Sequence, residues 1–429
     1  MQKNNDLCQK KLKYELQKKS VRLRQRVHDL FFSAGMSKRS ISKRLKVSLN
    51  FVLSWTKKKK MNFEQDKRGW KKNKGRKWNS FVSRCIIKIH RSLKEGNNFY
   101  TGATVIQQEW HKQYKQKPPP LRTIGRVLKQ MGLTTPNKKK SSKGASRYLC
   151  YPEHSIHHYA GKRVLEIDFI GKKFITGRTE PIHFAAASFK YSPKLRYYRR
   201  VDAETADCLM EFLQGVFEQF EIPDVVKMDN GFAMNGSAPQ PNVLSKLPLW
   251  LLHQKIYPMY AVPRKPFSQA SIEGNNSVFG RKFWNRFVFE NIKQIEEKLV
   301  LFNQASLQYH NYSRPKVSGQ NRISKKFIPK IFYLRQVRED ERGKAFIEAA
   351  NTHVTLPKTY INYFVFAEWN LNTELLSVFI EKENQLNEIK TIHFALNPKS
   401  KEKLFNEKGQ TFTPALPEPV LDRSFICTL

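Results

Sequence analysis

The sequence predicts a multidomain protein: all-α units at the N-terminus, a central α/β core built on a mixed sheet, and a small barrel-like β domain near the C-terminus. Three observations carry this expectation. The chain has 429 residues, more than one hydrophobic core usually serves, so about two to four domains are expected. Apolar spacing is helical as far as Gly132 and turns mixed from Arg163, where a period of two begins. Charge divides in the same place. Residues 1–150 hold 40 Lys and Arg against 7 acids, a net of +33, whereas the remainder holds 38 against 29, a net of +9.

A compact body with a formal charge of +42 repels itself, which implies a polyanionic partner, nucleic acid before a membrane surface. Hydrophobic residues at 40% and aromatics at 12% are enough for real cores, so a wholly disordered basic protein is excluded. The longest apolar runs, Pro181 to Phe189 and Leu247 to Leu252, fall short of the roughly 18 residues of a membrane span. The opening MQKNNDLCQKKLK has no apolar stretch of the kind a signal peptide needs. Five scattered cysteines without a CxxC pair fit a reducing compartment. A soluble cytoplasmic protein is expected.

Within residues 1–60, the segment 22–56 reads as helix, helix, short turn, helix. Gly35 can end the first helix with positive φ, Ser37 can cap the second, and Ser48 or Asn50 the third. Ile41, Leu45, Val47, Val52 and Trp55 supply an apolar interior. This spacing resembles the helix-turn-helix of DNA-binding proteins, and by that resemblance the third helix enters the major groove. Lys38, Arg39, Ser48 and Asn50 are then the DNA-contacting candidates. Two positions depart from the usual pattern: Lys46 stands where Gly is common in the turn, and Ser42 where Ala is. The alternative is an ordinary three-helix packing unit.

Residues 61–78 form a basic linker without periodicity, suited to tracking phosphates. Residues 79–150 hold three further helices, marked by Phe81, Ile86, Ile89 and Leu93, then Val105, Ile106 and Trp110, then Ile124, Val127, Leu128 and Met131, the last stopping at Gly132. LRTIGRVLKQMGL resembles a second recognition helix, with Arg122 and Arg126 as its DNA contacts; a mere scaffold around the PPP turn is the alternative. A second basic linker closes this region.

Over 151–315, RVLEIDFIG alternates as a strand should. Two more strands are expected at Ile182 to Phe189 and Leu195 to Val201, a helix from Ala206 to Phe220, and a short strand in PDVVKMDNG ended by an Asn-Gly turn. After an irregular Pro-rich stretch, Ser237 to Pro248, come a strand near Tyr257 to Val262, a helix from about Ser271, and a long helix carrying Ile292, Ile295, Leu299 and Phe302. A connector is expected over 316–350, the small β domain over 351–400, with Leu376, Val378 and Ile380 alternating, and a tail over 401–429.

Asp168 lies on a strand, Asp229 directly after another, and Glu273 at the start of a helix. Carboxylates at strand ends and on an adjacent helix can converge in a mixed sheet. Three such groups repel unless cations neutralise them, which implies a hard divalent ion with oxygen ligands. Two Mg²⁺ or Mn²⁺ ions about 3.5 to 4 Å apart serve phosphoryl transfer, activating a water or a 3′-hydroxyl and stabilising the leaving oxygen. Taken singly, each of these acids is as readily a capping or surface carboxylate.

Their surroundings are more specific. EIDFIG, KMDNGFAMNG and VPRKPFSQASIEGNNSVFGRKF resemble, in order, the three catalytic segments of the integrase-core DDE transposases, to which retroviral integrases are related. NYSRP at 311–315 resembles the Arg-Pro segment after the core in bacterial insertion-sequence transposases. The resemblance implies a ribonuclease H-like core, cutting of transposon-end DNA and joining of its 3′-hydroxyls to target DNA. Asp168, Asp229 and Glu273 match the family's metal-binding triad, with two Mg²⁺ or Mn²⁺ ions. It also implies double-stranded DNA as partner, a homo-multimer bridging two ends, and a possible ATPase helper. The chain has no GxxxxGK[ST] loop and is not expected to hydrolyse ATP itself.

Two features depart from the family. Forty-three residues separate Asp229 from Glu273, a longer gap than usual, which a Pro-rich insertion explains because loop length costs little closure free energy. Gly280 stands where many relatives place Lys; Arg281, about 80° around the helix from Glu273, is the nearest basic replacement. Arg264 and Lys265 precede the Glu and are placed to hold phosphates. Glu166, Asp224 and Glu290 are expected to be outer or surface residues, and Cys150 with His154, His157 and His158 lacks a second ligand pair with zinc spacing. The competing readings are a DNA-binding protein without chemistry and a metal-dependent nuclease that does not join.

Overall fold

The computed structural model describes residues 21–57, 63, 78–134, 163–189, 193–236, 240–314, 327–383 and 385–405. Most of the linker 61–78, the second linker with Cys150 and the three histidines, Pro315, and the tail past 405 lie outside the described residues. The chain divides into two compact units, Met1–Ser83 and Arg84–Leu429.

Between residues 21 and 57 the first unit holds α1 over 21–32, α2 (Lys38–Leu45) and α3 (Leu49–Trp55). Val27, Ile41 and Val52, one from each helix, are fully buried and form its centre. Both expected caps are present: Ser37 accepts from the Ser40 amide and Ser48 from the Phe51 amide, each at 3.2 Å. The two unusual turn residues have physical explanations. Lys46 adopts the left-handed conformation that favours glycine, with φ 50° and ψ 43°. The Ser42 hydroxyl donates to the Val47 carbonyl at 2.7 Å and so bridges the turn.

α4 (Ser80–Glu95) begins just before the boundary and runs into the second unit, where α5 (Ala103–Gln113) and α6 (Leu121–Gln130) follow, and Gly132 takes a positive φ where the last helix stops. Ile86, Ile89, Ile106, Trp110, Ile124 and Leu128 are buried, whereas Phe81 and Met131 are exposed. These helices are attached to the core behind them. Phe99 meets the ring of Phe302 edge-on at 5.1 Å and Tyr100 stacks on Tyr309 at 4.6 Å. A hydrogen bond from Arg286 Nη1 to the Asn98 carbonyl, 2.6 Å, adds to the contact.

The core is a nine-stranded mixed sheet, order β12-β11-β10-β6-β5-β4-β1-β2-β3. β1 (Val164–Lys173), β2 (Ile182–Phe189) and β3 (Arg196–Val201) form an antiparallel meander, while β4 (Val225–Met228) and β5 (Tyr257–Tyr260) run parallel to β1. α7 (Ala206–Gln219) covers one face, where its Leu209, Leu213 and Val216 join Leu165, Ile167 and Val226 in one apolar cluster. On the other face α9 (Ala270–Lys282) and α10 (Ile292–Tyr309) pack Ile272, Phe279, Ile295 and Phe302 against Ile170, Phe184 and Tyr198.

Four expectations are corrected. The Pro-rich stretch is not irregular throughout, because Lys246–His253 forms helix α8; Pro248 sits in its first turns, where the missing amide costs nothing, and Leu247, Leu251 and Leu252 are buried. Nor do the C-terminal strands form a barrel of their own. β6 (Lys330–Gln336) pairs with β5 in parallel at Met259↔Phe332 and Tyr260↔Tyr333, and β10 (Phe364–Asn370), β11 (Leu375–Lys382) and β12 (Gln385–His393) follow antiparallel. Ile331 to Arg335 are all buried, so both faces of β6 are covered and the strand belongs inside a large sheet. A separate three-stranded sheet spans the expected boundary at 350: β7 (Arg338–Glu339) and β8 (Ala345–Ala349) lie in the expected connector, and β9 (Thr352–Thr355) in the expected β domain. α11 (Pro398–Phe405) reaches into the expected tail. Among the described residues no helix is long and apolar enough to cross a membrane.

Candidate active site

Register places the first two acids. β1 and β4 are parallel and pair Glu166 with Lys227, so two residues further along each chain Asp168 and Asp229 come side by side. Adjacent strands are about 4.8 Å apart, and this is the carboxyl end of the parallel strands, where open α/β sheets bind ligands. The chain then turns sharply. The Gly231 amide donates to Asp229 Oδ1 at 2.7 Å, and a Cβ on Gly231 would stand 2.9 Å from that oxygen. A side chain at this position would push the Asp229 carboxylate out of its hydrogen bond with the amide.

Glu273 lies in the first turn of α9, and one turn later Asn276 Nδ2 donates to Asp168 Oδ2 at 2.8 Å. The helix thus touches the strand acid directly. Burial, the charge of Asp229 and, more weakly, that of Glu273 push the Asp168 carboxyl up to about 7, against the opposing Asn276 hydrogen bond. Burial also raises Asp229, opposed by the Gly231 amide. Glu273 itself is exposed. Among the described residues no three His, Cys, Asp or Glu side chains form a group ready to hold a metal ion. The donor chemistry nevertheless suits a hard cation: oxygen ligands only, and an acid whose raised pKa a cation would relieve.

Of the two places expected for Glu166, around the site or at the surface, the surface does not hold. The residue is buried, and its Oε2 accepts from the Ile272 amide at 2.9 Å. Gln269, the residue before α9, makes no side-chain cap, so Glu166 caps the helix from the sheet, at the third amide, where a local cap would bond. Lys227, its strand neighbour, lies 3.7 Å from Glu166 Oε1 and also donates to the Ser268 carbonyl. Together these two buried charges set where α9 begins, and so where Glu273 and Asn276 stand. Asp224 is structural, accepting from the Arg163 amide at 3.0 Å, and Glu290 pairs with Gln294.

The basic candidates are distributed over both units. In the first, Arg39 and Asn50 are exposed, Lys38 is half-buried with Nζ 5.1 Å from the Phe31 ring centre, and the Ser48 hydroxyl is engaged in capping α3. In the second, Arg122 and Arg126 are exposed on α6 one turn apart. Arg264 is exposed with φ 57°, Lys265 is half-buried, and Arg281 Nε bonds the Ser277 carbonyl at 3.1 Å.

The sequence matches no family model and no curated protein. Among solved structures, a chain of the simian T-cell lymphotropic virus intasome in complex with the PP2A regulatory subunit B56 gamma is 11% identical, with a TM-score of 0.32. The match spans 72% of this chain and 99% of that one. A likeness this distant carries no argument about fold or activity.

Proposed function

We propose that the chain is a DNA transposase that cuts element ends and joins them to target DNA. The observation that carries this reading is the register that sets Asp168 beside Asp229 at the carboxyl end of two parallel strands, with the Glu273 helix capped by Glu166 from the same sheet face. Asp168, Asp229 and Glu273 would hold two Mg²⁺ or Mn²⁺ ions, which supply activation of a water or 3′-hydroxyl and stabilise the leaving oxygen. The chain's own groups position. Asn276 orients Asp168, the Gly231 amide orients Asp229, and Arg264, Lys265 and Arg281 provide positive charge for DNA phosphates beside them. The helical units, with 40 of the 78 Lys and Arg in residues 1–150, bind the element ends as a homo-multimer, with an ATPase partner as a possible helper in target choice.

A DNA-binding protein without chemistry is the second reading, and the exposure of Glu273 outside any three-donor group favours it. One experiment separates them. Incubated with a pre-cut end and a plasmid in Mg²⁺, the protein should give joined products, and Asp229→Asn should reduce them by about 10³-fold or more while leaving end binding intact. Cutting without joining identifies a nuclease; neither activity identifies the pure binder.

A further inference from the structure

Arg335 is a buried cation that the site described so far leaves unused. It lies on β6, two residues beyond the last β5–β6 pair, and only 6% of it is exposed. Its guanidinium fork bridges several strand ends. Nε donates to the Glu348 carbonyl at 2.6 Å, Nη1 to the carbonyls of Ala261 (3.0 Å) and Leu334 (2.9 Å), and Nη2 to Asn230 Oδ1 at 2.9 Å. Asn230 Nδ2 in turn donates to the same Ala261 carbonyl at 2.7 Å. Every one of these acceptors is neutral. A buried guanidinium whose hydrogen bonds all go to neutral oxygens is costly, even with the Tyr333 ring centre 5.0 Å from its Cζ, and an apolar side chain would fill the space more cheaply. What only a planar fork supplies is simultaneous attachment of β6, the end of β5 and the turn after β4.

That turn is the one carrying Asp229. Asn230 lies between Asp229 and Gly231, whose amide holds the Asp229 carboxylate. We propose that Arg335 is a positioning residue: through Asn230 it fixes the Asp229 turn, and it makes the C-terminal strand extension a structural part of the candidate metal site. The proposal rests on the transposase reading for the identity of the site, but the fixing of the turn is a property of the metal-free chain.

The test uses the full-length protein carrying Arg335→Gln, Arg335→Lys, Asn230→Ala and the Arg335→Gln/Asn230→Ala pair. In metal-free protein, hydrogen exchange of the segment containing Gly231 should quicken in all four variants while the β1–β2 segments keep their protection. Mn²⁺ titration should show affinity falling about tenfold or more in each single variant, with the double variant no weaker than the worse single, because both changes remove one shared hydrogen bond. Lysine should not rescue, since one ammonium cannot span the three strand ends. Unchanged exchange at Gly231, or additive losses in the double variant, would overturn the proposal. If wild type binds no Mn²⁺ in a manner sensitive to Asp229→Asn, the transposase reading fails, and Gly231 exchange alone then decides whether Arg335 holds the turn.

Discussion

Asp168 makes the cation-free protein sensitive to pH. An unfolded Asp titrates near about 3.9, whereas in the folded protein Asp168 is pushed up to about 7, chiefly by burial and then by Asp229. The folded state therefore holds the proton more tightly. Its contribution to stability is complete below about pH 4 and is lost as pH rises to about 7. Asp168→Asn should flatten this slope and stabilise the metal-free protein by on the order of 2 kcal/mol at pH 8, with little change at pH 4, as measured by calorimetry. Mg²⁺ should raise the Tm of wild type at pH 8 more than at pH 5.5 and have no such effect on Asp229→Asn. The Glu166–Lys227 pair makes a second residue-scale prediction. Glu166→Ala removes the acceptor of the Ile272 amide and the carboxylate beside a buried lysine, at a cost of about 3 kcal/mol or more in chemical denaturation. Glu166→Gln, which keeps an acceptor oxygen, should cost less.

Among the elements, the helical unit at the N-terminus has the most local logic. Ser48 caps α3 with its own hydroxyl, so Ser48→Ala should weaken that helix by about 1 kcal/mol. Lys46 occupies a conformation that costs a side-chain-bearing residue roughly 1 kcal/mol or more, so Lys46→Gly should instead strengthen the unit by about 0.5 kcal/mol. Opposite changes in hydrogen-exchange protection over residues 38–55 would check both. α9 shows the contrasting case, in which an element's start is decided elsewhere. No local side chain caps it, and its position follows from a carboxylate 106 residues earlier in the chain. Its burial of Ile272 and Phe279 against Phe184 and Tyr198 then carries that position along the helix to Asn276.

At the scale of the whole molecule, charge and core are separable at one place and not at another. A chain lacking residues 1–79 sheds 25 Lys and Arg and 5 acids, a net of +20, but leaves the Phe99 and Tyr100 contacts with α10 in place. It should melt as a folded protein, while the DNA affinity proposed for the chain should fall and depend less steeply on salt. Removal of residues 1–150 strips those aromatic contacts as well, and each large aromatic lost from such a core costs about 3 to 5 kcal/mol. The longer truncation should therefore melt at a clearly lower temperature in calorimetry, which would distinguish a docked helical region from a detachable reader.

Some of this was determined by sequence alone, because the signals are local. Alternation in RVLEIDFIG, the Asn-Gly stop after KMD, the Ser caps at 37 and 48 and the Gly132 stop all act within a few residues of where they are written. They located β1, β4, the helices around Ile41 and Val52, and the three acids. Tertiary structure alone decided what those elements lean on. Nothing near Glu166 marks it as the cap of a helix 106 residues away, and nothing near Arg335 announces a hydrogen bond to Asn230 at a separation of 105. The same holds for the C-terminal strands, whose alternation fits a small barrel and a wide sheet equally, until pairing with β5 covers both faces of β6. Periodicity is a property of one segment, whereas capping across a sheet and strand order are properties of pairs, and their free energy exists only once distant segments meet.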